Sequence, residues 1–135
     1  MIKIKITFLF SFLMLSRFAM SQYKLEITVI NLNSNNGTIN LELLDENQKS
    51  VTAKKSVINN KRCIITIEDL KAAKYAIRYI HDENANDKLD TNWMGMPTEG
   101  YGFSNNAYGS FGPQSFDKWL FTIKSDTKIT LKTKY

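Results

Sequence analysis

The sequence predicts an all-β protein, a seven-stranded antiparallel β-sandwich with a long ordered loop between the fifth and sixth strands. Two observations carry most of that reading. Apolar residues recur at every second position in segment after segment, which is the period of a half-buried strand. No apolar pattern of helical period runs beyond a single turn, and clusters of Asn, Asp, Gly, Lys and Ser separate the segments at short intervals. Short alternating strands joined mostly by tight turns bury their apolar faces best as two stacked sheets.

The start of the chain is not part of that pattern. Lys3 and Lys5 precede an apolar run from Ile6 to Leu15, and Ala19-Met20-Ser21 places small residues at alternate positions before Gln22. This is the order of a secretory signal peptide cleaved after Ser21. The apolar run is too short to span about 30 Å of hydrocarbon as an anchor, so no transmembrane segment is expected after cleavage. The expected mature chain, residues 22–135, is one domain with a periplasmic or extracellular destination. Residues 1–21 hold Lys3, Lys5 and Arg17 and no acid, so cleavage lowers the net charge from +5 to +2. The remaining lysines are scattered, which argues against a nucleic-acid partner. Cys63 is the only cysteine, which leaves no internal disulfide despite the exported destination.

The strands follow in order. Residues 24–31 alternate Leu25, Ile27 and Val29 with polar partners. Asn36-Gly37 comes next, the strongest short-range hairpin signal because both residues tolerate positive φ. Residues 38–44 then return with Ile39, Leu41 and Leu43 inward. A weaker strand covers 52–58. In 62–68, Cys63, Ile65 and Ile67 share one side, so Cys63 reads as a small buried hydrophobe. Residues 75–81 alternate Tyr75, Ile77, Tyr79 and His81 with Ala76, Arg78 and Ile80. Two strands close the chain: 117–123 with Trp119, Phe121 and Ile123 on one face, and 128–135 with Ile129 and Leu131 inward.

Between Asp82 and Phe116 no clear strand is evident, and this segment carries five of the six glycines and both prolines. Its many aromatic and Met side chains argue against disorder, and a connection this long is usually functional. It opens on DENANDKLD, residues 82–90. Against a calcium loop, Asp82, Asn84, Asn86, Lys88 and Asp90 occupy positions 1, 3, 5, 7 and 9. Such loops give side-chain oxygens at 1, 3 and 5 and a backbone carbonyl at 7. Position 12 is Trp93 and the preceding segment is a strand, so this is not an EF-hand; Glu99 or a loop carbonyl is the candidate for the missing ligand. Asp87 stands where a sharp turn normally takes Gly, and Asp tolerates the left-handed conformation better than most residues. The alternative is an Asx-rich turn that binds nothing. Five acids (Asp82, Glu83, Asp87, Asp90, Glu99) against Lys88 in residues 82–99 favour the ion.

HDENANDKLDTNWMGMPTEGYGFSNNA, residues 81–107, followed by GPQSF, resembles a bacterial exported family catalogued as domain of unknown function 2141. The resemblance covers roughly residues 23–135. Asp87 departs from the family's usual Gly, Met96 from its usual Ile, and the segment before Tyr75 from its usual Leu-Pro-x-Gly-x-Tyr. The resemblance implies export and a prealbumin-like or carboxypeptidase-regulatory-like sandwich. It implies no activity.

Three functions compete. The first is a calcium-stabilised, non-catalytic domain for binding or structure at the cell envelope, with an envelope protein or glycan as partner. The second is a glycan-binding module in which Trp93, Tyr101, Phe103, Tyr108 and Phe111, interleaved with Asn92, Ser104, Asn105 and Asn106, make a stacking surface within 92–111. An aromatic loop more often packs on its own sheet edge, because large exposed apolar patches are rare. The third is an enzyme, which the sequence disfavours. His81 is the only histidine, whereas zinc sites commonly use two or three. No nucleophile elbow or phosphate-cradling loop accompanies it, and His81 reads as a strand-end residue that supports the loop.

Overall fold

In the computed structural model, residues 20–135 are described. The expected signal peptide, residues 1–21, lies almost entirely outside them. The described chain is all-β: ten strands and two short 3-10 turns. The first five strands are β1 (Gln22–Ile30), β2 (Thr38–Asp45), β3 (Ser50–Val57), β4 (Cys63–Lys71) and β5 (Ala73–Asp82). Then come β6 (Gly100–Phe103), β7 (Tyr108–Gly109), β8 (Gly112–Pro113), β9 (Phe121–Ile123) and β10 (Thr127–Lys132).

One sheet has the order β10-β1-β4 and the other β3-β2-β5-β6, with β9 also paired to β5; β7 and β8 form a small ribbon. The inward positions set by the alternation meet in one core. Leu25, Ile27, Val29, Cys63, Ile65, Ile67 and Leu131 come from the first sheet, and Ile39, Leu41, Leu43, Tyr75, Ile77, Tyr79 and Ile123 from the second. Phe121, expected in the core, is only partly buried and packs against it, because β9 is a short edge strand.

Four features differ from the sequence reading. β1 does not form a hairpin with β2: β1 pairs β10 and β4, whereas β2 pairs β3 and β5. The chain therefore crosses between sheets at Asn36-Gly37. The pairing is antiparallel except for β1 and β10, which run parallel from Leu25↔Thr127 to Ile30↔Lys132. The turn after β9 carries the chain out of the larger sheet and delivers β10 beside β1 in the same direction. The strand expected over 117–123 is reduced to Phe121–Ile123, with a 3-10 turn at Phe116–Lys118 before it.

The fourth difference lies inside the segment expected to be free of strands. Gly100–Phe103 pairs with β5 from Arg78↔Phe103 to His81↔Gly100. Its inward positions are glycines, so it lacks the apolar alternation that marks the other strands. Gly102 is required by close approach: a Cβ there would sit 2.3 Å from the Tyr79 ring.

Candidate functional site

The 82–99 loop leaves the larger sheet at the end of β5. Asp82, the last strand residue, is fully buried. Its Oδ1 accepts from the Asn86 N–H at 3.1 Å, and its Oδ2 from the Asp87 N–H at 2.8 Å and the Asn40 amide at 3.2 Å. These bonds curl the chain back over its own start. The curl needs left-handed backbone at Ala85 (φ 59°) and Asp87 (φ 64°). Asp87 thus has the conformation expected at its position, and its carboxylate forms an ion pair with Lys55.

The alternate residues converge on one another. The Asn84 oxygen accepts from the Asn86 N–H and the Asn86 oxygen from the Lys88 N–H, both at 3.2 Å. The Asn86 amide donates to both Asp90 oxygens at 2.8 and 3.0 Å, and the Asn84 amide donates to Asp90 as well. Those amides, Asn86 foremost, hold the Asp90 carboxyl below its ordinary range. Lys88 enters this network through its backbone, with its side chain exposed. Glu99 is buried and acts as a strut: one oxygen accepts from the Glu83 N–H at 2.9 Å and the other from the Asp90 N–H at 3.1 Å. It pins together the two ends of the curl.

The donor set is two carboxylates, two amide oxygens and a loop carbonyl. That chemistry fits a hard divalent cation, which takes oxygen ligands, and does not fit a soft one. Among the described residues no three His, Cys, Asp or Glu side chains gather as a metal-binding group. Ligation of a cation here would therefore depend on amides and carbonyls in addition to Asp82 and Asp90.

Behind the loop, the fully buried His81 ring bridges two segments. Its Nε2 lies 2.8 Å from the Asn36 carbonyl oxygen and its Nδ1 lies 2.6 Å from the Tyr135 hydroxyl. The carbonyl can only accept, so Nε2 carries a proton and donates to it. The Tyr135 oxygen also accepts from the Asn33 N–H at 3.0 Å. Glu83 accepts from the Ser34 hydroxyl at 2.9 Å. Gly37 closes this contact: its φ is +68°, and a Cβ would lie 1.8 Å from the Asp82 carbonyl oxygen. Asn36-Gly37 is thus a seat for the site loop.

The outer face of the larger sheet holds a groove of about 750 Å³. Its floor includes Asn40, Glu42, Ala53, Arg78 and Ile80, with Tyr101 and Phe103 on one side and residues 87–89 on another. Arg78 forms an ion pair with Glu42 at 2.6 Å. The Glu42 carboxyl is held low by its hydrogen bond to Ser50 and, secondarily, by Arg78.

The aromatic residues of 92–111 divide. Tyr101, Phe103 and Tyr108 pack edge-on to one another with ring centroids 5.9 Å apart. Phe103 also lies against Trp119 at 4.3 Å. The Tyr108 hydroxyl has one proton to share between the main-chain oxygens of Tyr101 and Lys132, and burial pushes its pKa up to about 12. Trp93 and Phe111 are exposed instead, at 92% and 103%. They do not join the cluster.

Sequence reading named Asp82, Asn84, Asn86, Lys88, Asp90 and Glu99. The structure joins the first five in one turn and sets Glu99 beneath it as a brace. Asn40, Lys55, Gly37 and Tyr135 were not anticipated as neighbours. Asn40 and Lys55 are ordinary polar members of alternating strands, and nothing in their local pattern marks them. The family described as an uncharacterized protein conserved in bacteria (DUF2141) matches residues 27–130. No curated protein and no solved structure matches the chain.

Proposed function

The chain belongs to this family of uncharacterised bacterial proteins, and we propose that it is an exported, non-catalytic binding or structural domain of the cell envelope, stabilised by calcium in its 82–90 loop. We read the two large sheets as the layers of a β-sandwich of the prealbumin or carboxypeptidase-regulatory kind. In this reading β1 to β5, β9 and β10 are the seven framework strands and β6 is added from the loop.

The observation that carries the ion is the convergence of Asp82, Asn84, Asn86 and Asp90 within one curl of backbone. Each amide oxygen uses one lone pair on a backbone N–H and keeps another. A cation would replace the amide hydrogens at Asp90, with Asp82 and the Lys88 carbonyl completing the turn. An ion that binds only the folded state adds RT ln(1 + [L]/Kd), about 2.7 kcal/mol at a hundredfold excess over Kd. Extracellular sites bind calcium at about 0.1–1 mM.

Millimolar calcium should therefore raise the melting temperature and EDTA lower it, with magnesium far weaker because it demands a tight octahedron. Asp82→Asn and Asp90→Asn should each remove most of the calcium effect, and Lys88→Ala should keep it. No change with calcium in either melting or protease resistance of 82–116 would leave an ordinary Asx-rich turn.

A further inference from the structure

We propose that the outer face of the larger sheet is a saccharide site, selective for a sugar that carries a carboxylate. The inference deepens the reading of the chain as a binding domain and rests on it, but does not depend on the ion.

Two rows of side chains cross four strands in register. One row is Lys55, Asn40, Ile80 and Tyr101; the other is Ala53, Glu42, Arg78 and Phe103. These positions alternate with the core positions and point away from them, where a solvated antiparallel face is normally polar throughout. Here the β3 and β2 end is mostly polar and the β6 end is aromatic. The small side chain of Ala53, on β3, leaves space at the polar end of the face. A groove of about 750 Å³ falls in the range of small-ligand sites.

A pyranose ring has an apolar C–H face and a rim of hydroxyls. Tyr101 and Phe103 suit the C–H face, and they are already held by Tyr108 and Trp119, which limits the ordering cost of binding. Asn40, Glu42 and Arg78 suit the hydroxyls, because they offer donors and acceptors side by side. Charge then selects the sugar. Lys55 pairs with Asp87 and Arg78 with Glu42, while Lys54 and Lys88, which also line the groove, form no ion pair among the described residues. The lining thus carries more positive than negative charge, and the carboxylate of a uronic acid complements it.

The test is calorimetric titration of the mature protein with cellobiouronic acid, with cellobiose as its neutral counterpart. The acidic sugar should bind saturably and the neutral one roughly tenfold more weakly, the scale of a hydrogen bond to a charged group. Ala53→Trp fills the groove from an exposed position on an edge strand and should abolish binding with little change in melting temperature. Should that variant not fold, Arg78→Gln, a surface change, carries the test and should cost about tenfold in affinity. Absence of saturable binding by both sugars, or full binding by a folded Ala53→Trp, overturns the site; equal affinity for the two sugars overturns the charge selection. Each titration is run in calcium and in EDTA. Sugar binding with no calcium effect on melting would sink the ion and keep the groove, and calcium stabilisation without sugar binding would do the reverse.

Discussion

Gly37 and Asp87 both take left-handed backbone near the site, and they differ in how replaceable they are. At Gly37 the conformation coincides with backbone contact to Asp82 and Glu83. Gly37→Ala adds a strained φ to a Cβ that has no space, so it should destabilise the protein by roughly 2 kcal/mol or more, read by urea unfolding; a wild-type midpoint would contradict this close approach. At Asp87 the side chain is exposed and its pKa is lowered chiefly by its hydrogen bond to Lys55. Its contribution is present above the ordinary carboxylate value of about 3.9 and is lost as pH falls through the depressed folded value. Lys55, raised by the same bond, contributes below its ordinary value and loses this as pH rises through its folded pKa. Lys55→Met should move the Asp87 titration up toward the usual range, followed by carboxyl carbon NMR. An unmoved titration would mean that the pair does not persist in solution. Because the pair is exposed and screened, the melting temperature should barely change.

At the scale of elements, the 82–99 loop is held by polar contacts more than by apolar ones. Asp82 and Glu99 are buried carboxylates, and between them they accept five hydrogen bonds: Asn86, Asp87 and Asn40 to Asp82, and Glu83 and Asp90 to Glu99. Removing the acceptor at Glu99 strands two N–H groups, and an unsatisfied buried donor costs about 1–3 kcal/mol. Glu99→Ala should therefore speed amide exchange at Glu83 and Asp90 while the β1–β4 amides keep their protection. Uniform acceleration over the whole chain would show that the loop does not open as a separate unit. Calcium should slow the same loop amides if the ion sits in the curl. The β6 strand belongs to this element too, since it returns the chain from the loop to the edge of β5.

For the whole molecule, topology couples distant parts of the chain. The parallel β1–β10 pair and the His81–Tyr135 hydrogen bond tie the last residues to the first strand and to the site. β1 begins at Gln22, the residue that follows the expected cleavage after Ser21. Mass spectrometry of the exported protein should find Gln22, or its cyclised form, at the N-terminus; recovery of a membrane-bound species beginning at Met1 would refute the signal peptide. The sequence by itself determined most of the buried positions along β1, β2, β4, β5 and β10, because period-two alternation is a local property that survives in any sheet partner; Leu44, Leu70 and Ala76 are buried outside that alternation. It likewise determined that 82–90 would curl, since Asx side chains bond backbone two to five residues ahead. Tertiary structure alone decided which strands pair, turning the Asn36-Gly37 hairpin signal into a crossing between sheets. It also decided that Glu99 braces the curl, that glycine-rich β6 is a strand, and that Asn40 and Lys55 meet Asp82 and Asp87. Those contacts join residues far apart in the chain, and their signal lies in the close approach of two backbones, which no local pattern encodes.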